Sequence, residues 1–304
     1  VGFEGCSRDQ HDQTDSDADG LLDVWEACGY DAEPDGVIDV NLPALGANPF
    51  RKDIFVEIDY MDSPAACIFG GCSIGHTHRP KQEAIDLVVQ AFARAPVTNP
   101  YGSPGIALHV VVDQSMTERP VLTDSQHSWT AALDEIKLGQ RYFDPKRRAI
   151  FHYALFAHDI GGNWPIGTSG ISRLGSSDFI VALGQFQGTI NDQAGTLMHE
   201  LGHNLGLRHG GGEETNNKPN YLSVMNYVFQ MSGLRHGNVD GLFDYSRFST
   251  IPALDENHLY EAVGLNGGVA IAGYGTRVPC IQIPLQPGEP PYVITIPIND
   301  ANGP

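Results

Sequence analysis

The chain is poor in cysteine and in basic residues, and it has no long apolar run. Five cysteines among 304 residues are too few for a disulfide-dense scaffold. Asp and Glu number 37 against 18 Lys and Arg, which gives a formal net charge of -19. This acidity argues against nucleic acid or an anionic membrane as a partner, because phosphate-rich surfaces would repel the chain. No apolar run has membrane-spanning length, and the first residues lack the basic start and apolar stretch of a signal peptide.

The positions of the cysteines favour one or two disulfide bonds. Cys67 and Cys72 enclose a short Gly-rich loop, Cys6 and Cys28 bracket an acidic segment, and Cys280 stands apart. The sequence does not fix the pairing, and the odd number leaves at least one thiol over unless the native chain extends further. We expect a secreted, extracellular protein; free buried cysteines in a cytosolic protein are the alternative.

Apolar residues make up 41% of the chain, and their spacing predicts a mixed sheet with helices on it. Alternating and β-branched residues predict strands at 53–60, 106–112 and 149–158, while helical spacing predicts helices at 81–95 and 129–142. The Gly-interrupted residues 167–174 are typical of an edge strand, and the apolar residues 179–183 of a buried strand. The predicted fold class is therefore α/β (α+β), with a mixed twisted sheet.

The first part of the chain differs from the rest, because it is rich in Asp and Gly and ends at a turn-like segment, residues 42–49. We predict a calcium-binding segment at 1–48 and a catalytic domain at 49–304. Within the first segment, residues 15–26 match the EF-hand loop at every ligand position. The predicted Ca²⁺ ligands are Asp15, Asp17, Asp19, the carbonyl of Leu21, Asp23 and Glu26.

A second, degenerate copy of this loop follows. It offers Asp31, Glu33, Asp35 and Asp39 but lacks the final Glu. It would bind calcium weakly or only pair with the first copy. A solvated acidic loop is the alternative interpretation of both copies.

Residues 199–209 form a zinc motif, His-Glu-x-x-His-x-x-Gly-x-x-His. Asn191 or Asp192 can cap a helix that continues to about Leu205. On that helix His199 and His203 lie one turn apart on one face, so that both imidazoles can reach one metal ion.

A third ligand requires the helix to stop, because a continuing helix would turn His209 away from the metal. Gly206 can take the left-handed conformation that ends a helix and returns His209 to the first two histidines. Three histidines leave the fourth tetrahedral position of Zn²⁺ to water, which is the arrangement of a catalytic site. Glu200 can take a proton from that zinc-bound water and later deliver it to the leaving amine.

Past the third histidine stands Ser-Val-Met-Asn-Tyr, residues 223–227. The extended motif followed by a Met-containing turn resembles the metzincin zinc metallopeptidases. The resemblance implies that Met225 forms an apolar floor beneath the zinc ligands and that the hydroxyl of Tyr227 helps to stabilise the tetrahedral oxyanion. It also implies a metzincin-like two-subdomain fold, with an upper subdomain at about 49–209, a lower one at about 210–304 and a cleft between them.

In this family the substrate binds in extended form against the edge strand, which here places Gly170 and Ile171 at the substrate. The sequence departs from the better-known branches directly after the third histidine, where residues 210–212 are all glycine. The branch is therefore unassigned, with a pappalysin-like branch or a bacterial secreted branch as the nearest alternatives.

The histidines outside the zinc motif are interpreted as surface or structural residues. His76 and His78 are able to bind a second metal, but surface positions are favoured, and His152 and His158 are expected to be packed or hydrogen-bonded. A short helix at 255–263 and Gly-rich and Pro-rich strands are predicted for the end of the chain, with no function assigned.

The sequence thus predicts a secreted, monomeric zinc metalloendopeptidase that acts on a protein or peptide substrate, with catalytic Zn²⁺ and structural Ca²⁺. One alternative is a calcium-dependent extracellular binding or adhesion module with a vestigial zinc site. A second is metal-assisted hydrolysis of a non-peptide amide.

Overall fold

The structure is a computed structural model that describes residues 12–68, 71–123, 128–138, 142–161, 165, 167–218, 220–247, 273–279 and 293–297. Its helices are α1 (Asp23–Cys28), α2 (Leu42–Leu45), α3 (Gln82–Ala93), α4 (Trp129–Leu138), α5 (Ile190–Asn204) and α6 (Tyr227–Gln230). A 3-10 turn covers Pro145–Arg147. Its strands are β1 (Asp53–Ser63), β2 (Ala66–Ile68), β3 (Gly71–Ser73), β4 (His76–Thr77), β5 (Ala107–Thr117), β6 (Phe151–Ala157), β7 (Gly170–Ser172), β8 (Asp178–Ala182), β9 (Leu234–His236), β10 (Val239–Leu242), β11 (Tyr274–Pro279) and β12 (Val293–Pro297).

The main sheet has six strands and is mixed. β1, β5, β6 and β8 are parallel, with β5 and β6 on either side of β1 and β8 next to β6. β7 is antiparallel to β8 at the sheet edge, and β4 is antiparallel to the last residues of β1. Because β5 already pairs with that part of β1, β4 lies on the side of β6, beyond the end of that strand. The predicted α/β class with a mixed sheet is confirmed.

Helices cover both faces of this sheet. Along β1, Phe55 belongs to one hydrophobic core and Val56 and Ile58 to the other, since neighbouring side chains of a strand point to opposite faces. α3 and α5 pack on the Val56 face, and α4 packs on the Phe55 face. The sheet therefore positions α5, the helix that carries the zinc motif, along one side.

The acidic N-terminal segment packs onto the Phe55 face. Its buried side chains Leu21, Val40 and Leu42 belong to the same core cluster as Phe55. Lys52 Nζ also donates a hydrogen bond to the carbonyl of Ala18. The segment thus shares a core with the sheet, while the division of the chain at residue 48 stays a prediction.

The predicted elements occur with shifted ends. The edge strand is shorter than its predicted range, and β1 and β5 run further than predicted, to Ser63 and Thr117. The predicted helix at 255–263 lies outside the described residues. Among the described residues, no helix combines the length and apolarity that crossing a membrane requires.

The prediction for the cap of α5 was wrong. The N-cap is Thr189, whose Oγ1 accepts a hydrogen bond from the amide of Asp192, while Asp192 Oδ2 accepts one from the amide of Thr189. This reciprocal arrangement is a capping box. The helix therefore begins one residue before Asn191, at the Thr-x-x-Asp pattern.

The structure describes the disulfide bonding of the cysteines only in part. The backbones of Cys67 and Cys72 pair in the hairpin of β2 and β3. Cys28, at the end of α1, is disulfide-bonded. Its partner and the pairing of the remaining cysteines lie outside what the structure describes.

Candidate functional site

The structure brings the three predicted zinc ligands together at the end of α5. Gly206 has a φ of 90° and follows the last turn of the helix, so the chain reverses there as predicted. The ring centroids are 4.8 Å apart for His199 and His203, 5.4 Å for His199 and His209, and 4.9 Å for His203 and His209.

The spacing of the ligand atoms fits one zinc ion. Two nitrogens bound to zinc at 2.0–2.1 Å in tetrahedral geometry lie about 3.3 Å apart. The Nε2 atoms of His199 and His203 are 3.2 Å apart. One nitrogen from each of the three histidines lies within 4.8 Å of the others. The donor set therefore fits Zn²⁺ in number, type and spacing.

Each ligand histidine has a second polar partner that orients its ring through Nδ1. These pairs are His199 Nδ1 with the Val224 carbonyl at 2.9 Å, His203 Nδ1 with the Leu207 carbonyl at 2.8 Å, and His209 Nδ1 with Glu214 Oε2 at 3.4 Å. An imidazole that donates from Nδ1 presents the lone pair of Nε2, which is how metal-binding histidines are held in proteins. The rings are thus oriented before a metal arrives.

The site keeps these histidines neutral. Burial, together with the neighbouring His203, lowers the pKa of His199 to about 3. Burial also lowers the pKa values of His203 and His209. Neutral imidazole is the form that binds a metal, so these ligands need not lose a proton near pH 7.

Glu200 is buried between α5 and the edge strand. Its side chain is shielded from water, and this burial raises its pKa well above the usual value for a glutamate. A Cβ built on Gly170 would lie 2.6 Å from Glu200 Oε1. The carboxyl group therefore rests against the backbone of β7, and the predicted base and the predicted substrate strand are in contact.

The residues of the predicted Met-turn also lie near the histidine cluster. Met225 is fully buried, and a Cβ on Gly202 would meet its sulfur at 2.4 Å, so the sulfur lies against α5 at the residue before His203. The ring of Tyr227 lies 5.4 Å from that of His199 and 4.7 Å from that of His209. Tyr227 is 54% exposed and thus stands at the surface of the ligand cluster.

Sequence reasoning missed two side chains that fix the position of α5. Asn204 Nδ2 donates to Ser172 Oγ at 2.6 Å and to the Asp178 carbonyl at 3.2 Å, and its Oδ1 pairs with Nδ1 of His152 at 3.0 Å. Tyr245 donates from its hydroxyl to the Met198 carbonyl at 2.6 Å. Asn204 lies inside the zinc motif, but its hydrogen-bond partners belong to β6, β7 and β8, which come from other parts of the sequence.

The first acidic loop collects two groups of carboxylates. Oxygens of Asp15, Asp17 and Asp19 lie within 4.8 Å of one another. Oxygens of Asp19, Glu26 and Asp53 do the same. Asp53 opens β1 and lies outside the EF-hand pattern, so the sequence did not identify it. Asp19 belongs to both groups and joins them into one acidic cluster.

Hydrogen bonds give this loop its shape. The carboxylate of Asp15 accepts from the backbone amides of Ala18, Asp19 and Gly20. The two oxygens of Asp23 accept from the amide and hydroxyl of Ser16 at 2.8 Å and 2.7 Å, and its role as a calcium ligand stays a prediction. Within the described residues, Asp23 belongs to neither carboxylate group.

Two carboxylates of the cluster are buried without a hydrogen-bond donor. Asp17 is 4% exposed and Glu26 is 1% exposed, and their oxygens accept no hydrogen bond within the part of the chain that the structure describes. Burial and the charge of Asp19 raise the pKa of Asp17 to about 6 and that of Glu26 to about 9. Unsatisfied buried oxygens are costly, and a bound cation would satisfy both of them. The donor set consists of oxygens alone and fits Ca²⁺.

The second acidic loop has the same kind of hydrogen bonds as the first, but a lysine side chain contacts its carboxylates. Asp31 accepts hydrogen bonds from the backbone amides of Glu33, Asp35 and Gly36. Lys146 Nζ lies 2.5 Å from Asp39 Oδ1 and 3.2 Å from Glu33 Oε2. This ammonium group supplies positive charge to two of the four predicted ligands, and calcium binding by the second loop stays a prediction.

Comparison with known proteins adds no family to this geometry. Neither the protein-family models nor the curated proteins compared with the chain gave a match. The interpretation of the site therefore depends on the positions of its own residues.

Proposed function

We propose that the chain is a zinc-dependent endopeptidase of the metzincin kind. The observation that supports this most is the convergence of His199, His203 and His209, each with its Nδ1 partner in place, beside a buried Glu200. Within the described residues the cluster has three protein ligands, whereas a structural zinc site has four. A three-histidine site leaves room for substrate and water.

The chain's own residues would divide the work of peptide hydrolysis. Zinc, when bound, supplies a Lewis acid that polarises a carbonyl and lowers the pKa of water to about 7. Glu200 would accept a proton from the attacking water and deliver it to the leaving amine. Its buried carboxyl has a raised pKa, which makes it a stronger base than an exposed glutamate.

Tyr227 would donate a hydrogen bond to the developing oxyanion. Burial and the charges of Glu200 and Glu214 raise the pKa of this phenol, so it keeps its proton near neutral pH. A phenol donor contributes most where water is excluded and charge develops during the reaction.

The edge strand β7 would hold the substrate. Among the described strands it pairs with β8 alone, and an extended peptide can add to its other side. Gly170 touches Glu200, so a peptide on this strand lies next to the base. Ser169 Oγ accepts a hydrogen bond from Gln230 Nε2 at 3.2 Å, which ties α6 to the same edge. Met225 beneath α5 and the mixed sheet with its edge strand are further support for a metzincin-like arrangement.

Calcium would have a structural role in this proposal. The first acidic loop would hold one Ca²⁺ between its own carboxylates and Asp53 of the sheet. A protein with such a loop suits the calcium-rich extracellular space, which supports secretion.

The test is Glu200→Ala, assayed on a denatured protein substrate with zinc content measured in parallel. We expect turnover to fall about 10³-fold or more, because general-base catalysis is lost, while the zinc content is unchanged. The matched control is Glu83→Ala, an exposed glutamate on α3, which should keep full activity.

Two results would contradict the proposal. Residual turnover of a tenth or more in Glu200→Ala would exclude Glu200 as the base. A zinc-loaded wild-type chain that cleaves neither proteins nor a peptide library would exclude an endopeptidase and favour the binding module or a non-peptide amide substrate.

A further inference from the structure

A second histidine cluster lies at the carboxyl edge of the sheet. The sequence alone favours surface positions for His76 and His78, and His76 is exposed; the structure nevertheless brings both to His158 and Glu118. Glu118 follows β5, His158 follows β6, and β4 carries His76 beyond the end of β6. Because the carboxyl ends of parallel strands meet at one edge, residues distant in sequence become neighbours there.

The ligand atoms of this cluster have the spacing of a metal site. His76 Nε2 and His158 Nδ1 each lie 3.1 Å from an oxygen of Glu118, and His78 Nε2 lies 3.5 Å from it. His158 Nδ1 and His78 Nε2 are 3.2 Å apart. These values surround the spacing of about 3.3 Å between two tetrahedral zinc ligands.

The zinc motif of the same chain is an internal standard for this geometry. The ring centroids of His76, His78 and His158 are 5.1, 5.5 and 5.1 Å apart, against 4.8, 5.4 and 4.9 Å in the motif. One pair of ring nitrogens is 3.2 Å apart in each cluster. The two clusters differ in their fourth group, since Glu118 closes the new one.

The ring nitrogens of this cluster converge on one carboxylate. The His78 and His158 nitrogens that face each other also face Glu118, so they cannot both carry a proton without repelling one another. The Glu118 side chain is 8% exposed and is therefore largely shielded from water. One divalent cation would bind all three nitrogens and neutralise the carboxylate at the same time.

We propose that His76, His78, His158 and Glu118 bind a second zinc ion in a closed, structural site. Four protein ligands leave no open position for substrate, so this ion takes no part in catalysis. It joins the segment around β4 to the ends of β5 and β6.

The second site and the catalytic cluster lie at opposite ends of the parallel strands. The second site is at the carboxyl ends, and the catalytic cluster is near the amino end of β8. The end of α5 contacts Asp178 at the start of β8 through Asn204, whereas His158 follows the end of β6. The carbonyl of His158 accepts a hydrogen bond from the amide of Gly184, in the loop that leads to α5. A Cβ on Gly184 would come within 2.6 Å of the His158 ring, so the loop packs closely against this ligand. Zinc at the second site would therefore hold the loop before α5 as well.

The experiment counts zinc ions at nanomolar free zinc, a level at which isolated surface histidines stay empty, with calcium present to fill the acidic loop. We expect two zinc ions per wild-type chain and one in His199→Ala/His203→Ala. We also expect one in His76→Ala/His158→Ala and none when all four changes are combined. His236→Ala, at an exposed histidine of β9, is the matched control and should keep two.

The proposal and the catalytic assignment fail in different ways. A His199→Ala/His203→Ala chain without zinc would overturn the second site and leave the peptidase intact. Two zinc ions retained in His76→Ala/His158→Ala would overturn it equally.

A second measurement tests the proposal if His76→Ala/His158→Ala does not fold. The catalytic-site variant His199→Ala/His203→Ala is loaded with Co²⁺, whose visible absorption reports four-coordinate geometry, and is compared with the same chain carrying Glu118→Gln. We expect a strong tetrahedral spectrum that Glu118→Gln weakens or changes. A weak six-coordinate spectrum that Glu118→Gln leaves unchanged would overturn the proposal.

Discussion

Gly170 has no side chain at a point where the carboxyl group of Glu200 needs the space. A Cβ there would lie 2.6 Å from Glu200 Oε1 and 2.8 Å from the Ile180 carbonyl, and the second atom belongs to backbone that cannot move aside. We therefore predict that Gly170→Ala displaces the base and lowers kcat at least tenfold, because small misplacements of catalytic groups are costly. Kinetics with elemental analysis would show the loss of kcat at unchanged zinc content.

The control for this change is Gly212→Ala. Nothing lies within 4 Å of a Cβ at Gly212, although this residue comes shortly after His209, the last predicted zinc ligand. Equal kcat values for the two variants would mean that Glu200 is not held by the edge strand.

Tyr227 allows the hydroxyl to be tested apart from the ring. Tyr227→Phe keeps the ring contacts with His199 and His209 but removes the hydroxyl that we propose donates to the oxyanion. We expect kcat to fall about 10²-fold with little change in KM, as for the loss of one oxyanion donor. Steady-state kinetics would measure this, and Tyr101→Phe, at a residue that is 77% exposed, is the control. A change confined to KM would assign Tyr227 to substrate binding.

Strand β1 carries a buried acid that should make stability depend on pH. Glu57 is 1% exposed, and burial raises its pKa to about 7 even though Arg147 Nη1 lies 2.5 Å from it. The folded state therefore holds this proton more tightly than the unfolded state does. Its contribution to stability is complete below about pH 4.5 and is lost as the pH rises through about 7.

We expect Glu57→Gln to remove part of that pH dependence, on the order of 3 kcal/mol across this range. Urea unfolding at several pH values, with calcium saturating, would measure the slope. Glu83→Gln, at an exposed position of α3, should leave the slope as it is in the wild type. A wild-type curve without a fall between pH 4.5 and 7 would contradict the raised pKa of Glu57.

Periodic elements could be predicted from the sequence, because their signal lies within each segment. The zinc helix and Gly206 belong to this class, since the spacing of three histidines requires a helix that stops at one place. The contributions of Asp53, Lys146 and Glu118 could not be predicted. Each of these acts on residues far away in sequence, and only the order of the strands brings them together.

The cap of α5 is a different kind of error. Thr189 and Asp192 carry a local signal, but the predicted cap was Asn191 or Asp192, and both lie inside the helix. The short edge strand β7 was located correctly because glycines and polar residues mark exposed strands.

In the proposed structural role, calcium would connect the N-terminal segment to the sheet, and its removal should destabilise the entire chain. Without the ion, Asp17, Glu26 and Asp53 would remain as crowded carboxylates at the base of β1. We expect chelation to lower the unfolding free energy by about 3 kcal/mol, relative to calcium at a hundred times its Kd. Thermal unfolding with and without calcium, at constant free zinc, would measure the shift in Tm.

Two variants identify the loop responsible. Asp17→Asn/Glu26→Gln should abolish the response of Tm to calcium, whereas Asp35→Asn in the second loop should keep it. An identical Tm for the wild-type chain with and without calcium would exclude a structural calcium ion.

The ammonium group of Lys146, which contacts Glu33 and Asp39 of the second loop, would change how the acidic segment responds to calcium. Two acidic loops that both bind Ca²⁺ from solution can do so cooperatively, as in paired calcium sensors. Here one of the two carries a covalently attached counter-charge at every calcium concentration, placed by the 3-10 turn before β6. Calcium binding by the segment would then follow a simple hyperbola. The ion would stabilise the fold constantly and would not act as a switch.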